Sequence, residues 1–310
     1  MKLLIFSLII FIFIGCGEKS KRSTHISEDS KLLVLFVHGF TGKINLSRFT
    51  QDMQPILSKY NPNYIVETYS WDSEGISKNP LKNWNEANQK AIIEAEKLAE
   101  QIEIYEDEET PYYLIGYSLG AKVVIESLKQ SDDDLEMLRG VYLLGAADDV
   151  SQKIDTGLFN ENFKITNYHS PYHDKILKRL YRAAEFMKKA GGQKGFENEE
   201  EFKNYQTGAS HSPSDGKCNF LNMSKSIAHL IAYNENQFLP DLNTTITYSS
   251  KSSYDDNRWN NLIKFKNYTI QQNSCDIEDN NYRVIDNNFS IKLKDISLPM
   301  IFKEIRDNKI

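Results

Sequence analysis

Gly116-Tyr117-Ser118-Leu119-Gly120 is the stretch on which the fold turns. It reads G-x-S-x-G. The apolar run Tyr112-Tyr113-Leu114-Ile115 precedes it, and a helical pattern from Ala121 to Lys129 follows. A serine between a buried-type strand and a helix sits on a tight turn, and the flanking glycines let the backbone bend without a Cβ clash. The pentapeptide by itself is common. Its placement between strand and helix makes it a nucleophile elbow rather than an ordinary turn with a solvated serine.

Upstream, Leu32-Leu33-Val34-Leu35-Phe36-Val37 is a continuous apolar run, as expected of a strand buried on both faces of a parallel sheet. Helical patterns are expected near Leu46 to Tyr60 and from Asn83 to Tyr105. In the second, Ala91, Ala95, Leu98 and Ile102 share one face. Strands are expected at Tyr64 to Tyr69, Gly140 to Gly145 and Phe163 to Tyr168, and a short one through Cys218 to Leu221. Asp174 to Ala190 reads as a helix stopped by Gly191-Gly192, and Ser224 to Tyr233 as a closing helix. Strands alternating with helices indicate a doubly wound, mostly parallel sheet with right-handed crossovers.

The segment from Pro240 to Ile310 has a different texture. Thr244 to Tyr248, Leu262 to Phe265, Tyr282 to Ile285 and Ile291 to Leu293 are short β-type runs between Asn, Asp and Ser clusters. They suggest a small β-rich appendage, or an extension of the main sheet at its edge.

A second motif, His38-Gly39-Phe40-Thr41-Gly42, ends the first strand. Acyl transfer needs preorganised N–H donors for the oxyanion of its tetrahedral intermediate. The amide after the nucleophile, Leu119, would supply one, and Phe40 in the loop after the first strand the other. His38 lies too early in the chain for a catalytic base and reads as a loop-positioning residue.

With Val37-His38-Gly39-Phe40, Gly116-Tyr117-Ser118-Leu119-Gly120 and the strand-helix order around them, residues 31 to 235 resemble the α/β-hydrolase superfamily of lipases, esterases and peptidases. The resemblance implies a minimal version, with a sheet of about six strands. The short stretch between Cys16 and the first strand leaves no room for the two antiparallel leading strands of the full fold. It also implies the chain order serine, acid, histidine. The acid position falls on Asp174, with Asp148 and Asp149 after the preceding strand as the alternative; Asp174 also suits a helix N-cap. Histidines after the elbow are His169, His173, His211 and His229. The resemblance favours the final one, His229, over His211 in its Gly/Ser/Pro-rich loop. A buried helix histidine is the plain alternative for His229. The expected triad is therefore Ser118, Asp174 and His229.

Residues Ala190 to Lys217, with five glycines around the acidic run Glu197 to Glu201, read as a flap over the site or an ordinary insertion. Trp71, at the carboxyl end of the second strand, could line the pocket or pack in the core.

Lys2 is the only charge before position 18, and residues 3–14 are apolar apart from Ser7. That is shorter than the ~20 residues a spanning helix takes, and it fits a secretory leader. It ends at Ile14-Gly15-Cys16, which resembles a bacterial lipobox and implies cleavage before Cys16 and lipidation of it. The alternative is a plain signal peptide or an uncleaved anchor. Gly17, not aspartate, hints at the outer membrane. The expected organisation is a leader at 1–15, a tether at 16–30, a hydrolase domain at 31–239 and a β-rich region at 240–310. Cys218 and Cys275 then form an even pair in an oxidising compartment, a candidate disulfide.

The chain has 310 residues, 40% hydrophobic and 26% charged, with net charge −6. Mild, scattered acidity excludes the basic face of a nucleic-acid binder. No metal-ligand spacing or Gly-rich phosphate loop is evident, so no cofactor is expected. The resulting expectation is an exported, membrane-tethered serine hydrolase acting on carboxylic esters, small-molecule or lipid. A thioesterase or peptidase would share every motif. A silent hydrolase fold serving as an envelope binding module is the rival from another class.

Overall fold

The computed structural model describes residues 31–40, 46–131, 134–155, 165–212 and 219–235, positions 157, 159 and 163, and the backbone of five strands between 248 and 294. The leader, the Cys16 lipid site and the Cys218–Cys275 pairing lie outside the described residues, as does the boundary at Pro240.

The first domain runs β1 (Leu32–Val37), α1 (Leu46–Tyr60), β2 (Tyr64–Tyr69), α2 (Pro80–Asp107), β3 (Tyr112–Tyr117), α3 (Leu119–Gln130), β4 (Leu138–Leu144) and β5 (Ile165–His169). A π turn, Leu177–Tyr181, then leads into α4 (Arg182–Ala184). The domain ends with α5 (Gly191–Lys194), β6 (Phe202–Gln206), a 3-10 turn (Phe220–Met223) and α6 (Ser224–Asn234). The six strands form one sheet in the order β2-β1-β3-β4-β5-β6, and every pairing is parallel. This is the strand order of a minimal α/β-hydrolase sheet.

Burial on both faces explains the apolar runs. Leu32, Val34 and Phe36 of β1 pack with Phe49, Met53 and Leu57 of α1 and Ile227 and Ile231 of α6 on one face. Leu33, Leu35 and Val37 pack with α2 and α3 on the other. Each such side chain, removed from water, contributes about 1.5–3 kcal/mol before its entropy cost. The stripe Ala87, Ala91, Ala95 is fully buried. Small side chains there let α2 lie close to α3, and Asn79 caps its first turn through the Leu81 and Lys82 amides.

Three sequence expectations are corrected. The last strand is Phe202–Gln206, not Cys218 to Leu221; at the latter place Phe220–Met223 makes a 3-10 turn and Asn219 forms only an isolated bridge with Ser210. The described part of the supposed flap, residues 190–212, carries α5 and the sheet strand β6. Ala190, Gly191, Gly192 and Phe196 are buried, and a Cβ on Gly192 would stand 2.1 Å from the Ala146 nitrogen. The helix expected to reach Ala190 stops at Ala184, because Phe186 and Met187 take left-handed φ values of 49° and 68°.

Farther along, β7 (Tyr248–Ser249), β8 (Trp259–Lys264), β9 (Tyr268–Asn273), β10 (Asn281–Asp286) and β11 (Ser290–Lys294) form an antiparallel sheet in the order β7-β11-β10-β9-β8.

Candidate active site

The carboxyl ends of β1, β3, β5 and β6 deliver the site. Between β3 and α3, Ser118 adopts φ 55° and ψ −122°, a conformation costly for a residue with a Cβ. Its surroundings fix it there. The Ser118 N–H donates to Leu144 O, and its carbonyl accepts from Ala121 N and Ala147 N. Gly120 is required by a close approach: a Cβ there would stand 2.2 Å from Val37 O and 2.4 Å from His38 O. The turn can therefore press against the end of β1.

The Ser118 hydroxyl lies 2.7 Å from His211 Nε2, and His211 Nδ1 lies 2.7 Å from Asp174 Oδ2. All three residues are buried. The carboxylate can only accept, so Nδ1 carries the proton and Nε2 is left to accept from the serine hydroxyl. Asp174 Oδ1 also accepts from Leu177 N at 2.8 Å. One oxygen caps the helical turn while the other holds the imidazole, so the two roles weighed for Asp174 coexist.

His229 does not join this group. It lies on α6, where Nδ1 is 3.0 Å from the Tyr60 hydroxyl of α1 and the two rings meet edge to face. The physical reason is the position of the last strand. The loop after β6 returns across the sheet end beside β3, whereas α6 packs on the sheet face against α1. His211 thus occupies the place that the sequence assigned to His229. His169 ends β5, and burial pushes its imidazole down to about 4, so it is neutral. His173 lies in the turn before Asp174, and neither bonds the serine hydroxyl. Asp148 turns away from His211: its Oδ1 accepts from Gln152 Nε2 at 2.8 Å and from Asp149 N at 2.9 Å. Burial raises its carboxyl to about 6. Asp149 pairs with Lys188 at 3.1 Å.

Leu119 opens α3, where helix geometry leaves its N–H without an intrahelical acceptor. Gly39 brings the loop after β1 against the nucleophile; a Cβ there would stand 2.5 Å from Ser118 Cβ. Phe40, the next residue, rests edge-on against Trp84. His38 holds this loop. Its Nε2 accepts from Trp71 N at 3.3 Å, its carbonyl accepts from Trp71 Nε1 at 2.8 Å, and its ring stacks on the indole. Trp71 is a buried support of the loop after β1 rather than a pocket wall.

Tyr117 was missed in the sequence. Its hydroxyl donates to the His211 carbonyl at 2.5 Å, and its ring tilts against the imidazole at 5.5 Å. Phe220 meets the imidazole edge-on. The signal was present as the variable second residue of the elbow, but its partner was hidden by the misplaced last strand.

Among the described residues, no group of three or more His, Cys, Asp or Glu could hold a metal ion, and no helix is long and apolar enough to cross a membrane.

The family described as "Protein of unknown function (DUF726)" matches residues 45–232. No curated protein matches the chain. Among solved structures, the catalytic core domain of acetyl xylan esterase from Trichoderma reesei is 9% identical, with a TM-score of 0.41, over 67% of this chain and 99% of that one. A cutinase-like protein from Cryptococcus sp. is 12% identical, with a TM-score of 0.35, over 66% and 94%. A putative hydrolase of the alpha/beta superfamily from Xanthomonas campestris is 12% identical, with a TM-score of 0.37, over 65% and 98%.

Proposed function

The chain belongs to the DUF726 family, and for this member we propose a serine hydrolase that cleaves carboxylic esters through an acyl-enzyme. The observation that carries the reading is the unbroken hydrogen-bond chain Asp174–His211–Ser118. In the first half-reaction, Ser118 Oγ attacks the ester carbonyl and its proton passes to His211 Nε2. Asp174 holds the imidazole in the required tautomer and stabilises the imidazolium. The Leu119 and Phe40 amides are the oxyanion donors, fixed in place before the reaction starts. The imidazolium then protonates the leaving alkoxide. In the second half, His211 takes a proton from water as the water oxygen attacks the acyl carbonyl; the acyl–Oγ bond then breaks, the imidazolium returns its proton to Ser118 Oγ, and the carboxylic acid leaves.

An ester is preferred over an amide because its leaving alkoxide needs less help from protonation than an amine. The reading includes export and lipidation at Cys16, from the leader and the Ile14-Gly15-Cys16 motif, with the outer membrane as destination. Tethering would hold the catalytic domain within a leash length of acyl esters in the envelope.

The test is hydrolysis of p-nitrophenyl esters of increasing acyl length by the full chain beside Ser118→Ala. Turnover that disappears in a folded Ser118→Ala protein supports the reading. Turnover equal in both proteins, or none with any ester or thioester, overturns it and leaves a binding module.

A further inference from the structure

The turn after α4 spends stability twice. Phe186 and Met187 hold left-handed φ values, which glycine or asparagine adopts at much lower cost. Both side chains also face water, 94% and 64% exposed. The backbone of this pair ends the helix, with Met187 N–H donating to Arg182 O at 2.7 Å, but a smaller or polar residue would turn the chain at lower cost, so two large exposed apolar side chains here call for another role.

The surroundings of this turn indicate that role. Residues 174–189 carry six cations (Lys175, Lys178, Arg179, Arg182, Lys188 and Lys189) against two carboxylates, Asp174 and Glu185, in a chain of net charge −6. Both carboxylates are engaged: Asp174 holds His211, and Glu185 Oε1 accepts from Trp84 Nε1 and Asn88 Nδ2, each at 3.0 Å. Lys178, Arg179 and Lys189 are exposed and make no ion pair among the described residues. Lys188, next to the tip, pairs with Asp149 at 3.1 Å, so the uncompensated positive charge of this segment is carried by Lys178, Arg179 and Lys189.

Its position relative to the site is also fixed. Trp84, which anchors Glu185, packs edge-on against Phe40 of the oxyanion loop and against Tyr181. The same chain segment begins at Asp174. Ile76, 95% exposed, is fastened to α2 through its N–H to Glu86 Oε2 at 2.7 Å, which places another apolar side chain beside the amino end of the helix that bears Trp84.

We propose that the Phe186–Met187 tip and the exposed cations of its segment, Lys178, Arg179 and Lys189, dock the site-bearing end of the domain on an anionic lipid surface. The tip enters the acyl boundary and the cations meet the lipid phosphates, the combination by which peripheral segments gain both apolar and electrostatic binding. Charge complementarity selects this occupant over a second copy of the chain, whose matching segment would bring the same uncompensated cations. The dock gives the proposed hydrolase a lipid-ester substrate class, and its binding step is read apart from chemistry in a Ser118→Ala background.

The test uses Cys16→Ser/Ser118→Ala protein that begins at position 16, without the apolar leader, and vesicles of phosphatidylcholine with phosphatidylglycerol. Phe186→Trp, compared with its parent, should show blue-shifted emission quenched by brominated acyl chains. The signal should be lost on phosphatidylcholine alone and in high salt. Phe186→Asn/Met187→Gly should bind roughly tenfold more weakly or worse while melting at the same or a higher temperature. Arg179→Gln/Lys189→Gln should lose about tenfold on anionic vesicles and nothing on neutral ones. The proposal is overturned if the tryptophan is not quenched, if the Asn/Gly variant binds like its parent, or if that variant melts lower, since the tip would then serve the fold. It is equally overturned if the parent is a dimer that the Asn/Gly variant dissociates.

Discussion

His211 and His229 belong to the same stretch of chain and sit in different company. His211 is in a loop at the sheet's carboxyl end, buried between a serine hydroxyl and a carboxylate. His229 is half-buried on a helix, bonded to a tyrosine of the neighbouring helix. A helical histidine on a packing face is committed to holding two helices together. A histidine in the loop after the last strand is free of the ladder and can be aimed by its neighbours. The difference teaches that the position of the last strand, rather than the order of histidines along the chain, selects the histidine that meets Ser118.

The largest effect separates the two regions outright. His211→Ala and Ser118→Ala should each lower kcat/KM for a soluble ester by roughly 10⁴-fold or more, while His229→Ala stays within about twofold. Ester kinetics on folded variants check this.

The two carboxylates after β4 and β5 sharpen the same contrast. Asp148 has a folded-state value of about 6 against an ordinary 3.8, raised first by burial. The native state therefore binds its proton more tightly, and this group's favourable contribution, complete below its ordinary value, is lost as pH rises toward and through 6. Asp148→Asn should keep activity and gain about 1–2 kcal/mol of stability above pH 7, with the gain vanishing near pH 4. Denaturant melts at both pH values measure it; a large loss of turnover would give Asp148 the catalytic role assigned to Asp174.

A smaller effect is expected at Tyr117. Tyr117→Phe removes one hydrogen bond, about 1 kcal/mol, and loosens the His211 loop. A several-fold fall in kcat with KM unchanged is expected, and a change confined to KM would contradict the positioning role. Smallest of all, Tyr60→Phe should cost about 0.5–1 kcal/mol in thermal stability and leave turnover alone.

The sequence was informative where burial was two-sided. β1, β3 and β4 read as apolar runs because both faces of those strands are covered by helices, and the elbow followed from its strand and helix. Asp174 was legible from strand order. β6 was not, because this edge strand buries only one residue on each face, Phe202 on one and Tyr205 on the other, of Phe202-Lys203-Asn204-Tyr205-Gln206. Its polar letters merged with the acidic run before it, and the strand was sought at Cys218 to Leu221. That displacement moved the expected partner of Ser118 from His211 to His229 and hid the Tyr117 contact. Trp71 was placed at the right end of the sheet, but its bonds to His38 depend on side-chain geometry that spacing does not encode.

The most direct test of the central claim is intact-mass measurement of fluorophosphonate adducts formed over time on the parent chain, His211→Ala and His229→Ala. The account predicts one adduct, on Ser118, at the same rate in the parent and in His229→Ala, and none on the same timescale in His211→Ala. Labelling retained in His211→Ala and abolished in a folded His229→Ala would contradict it.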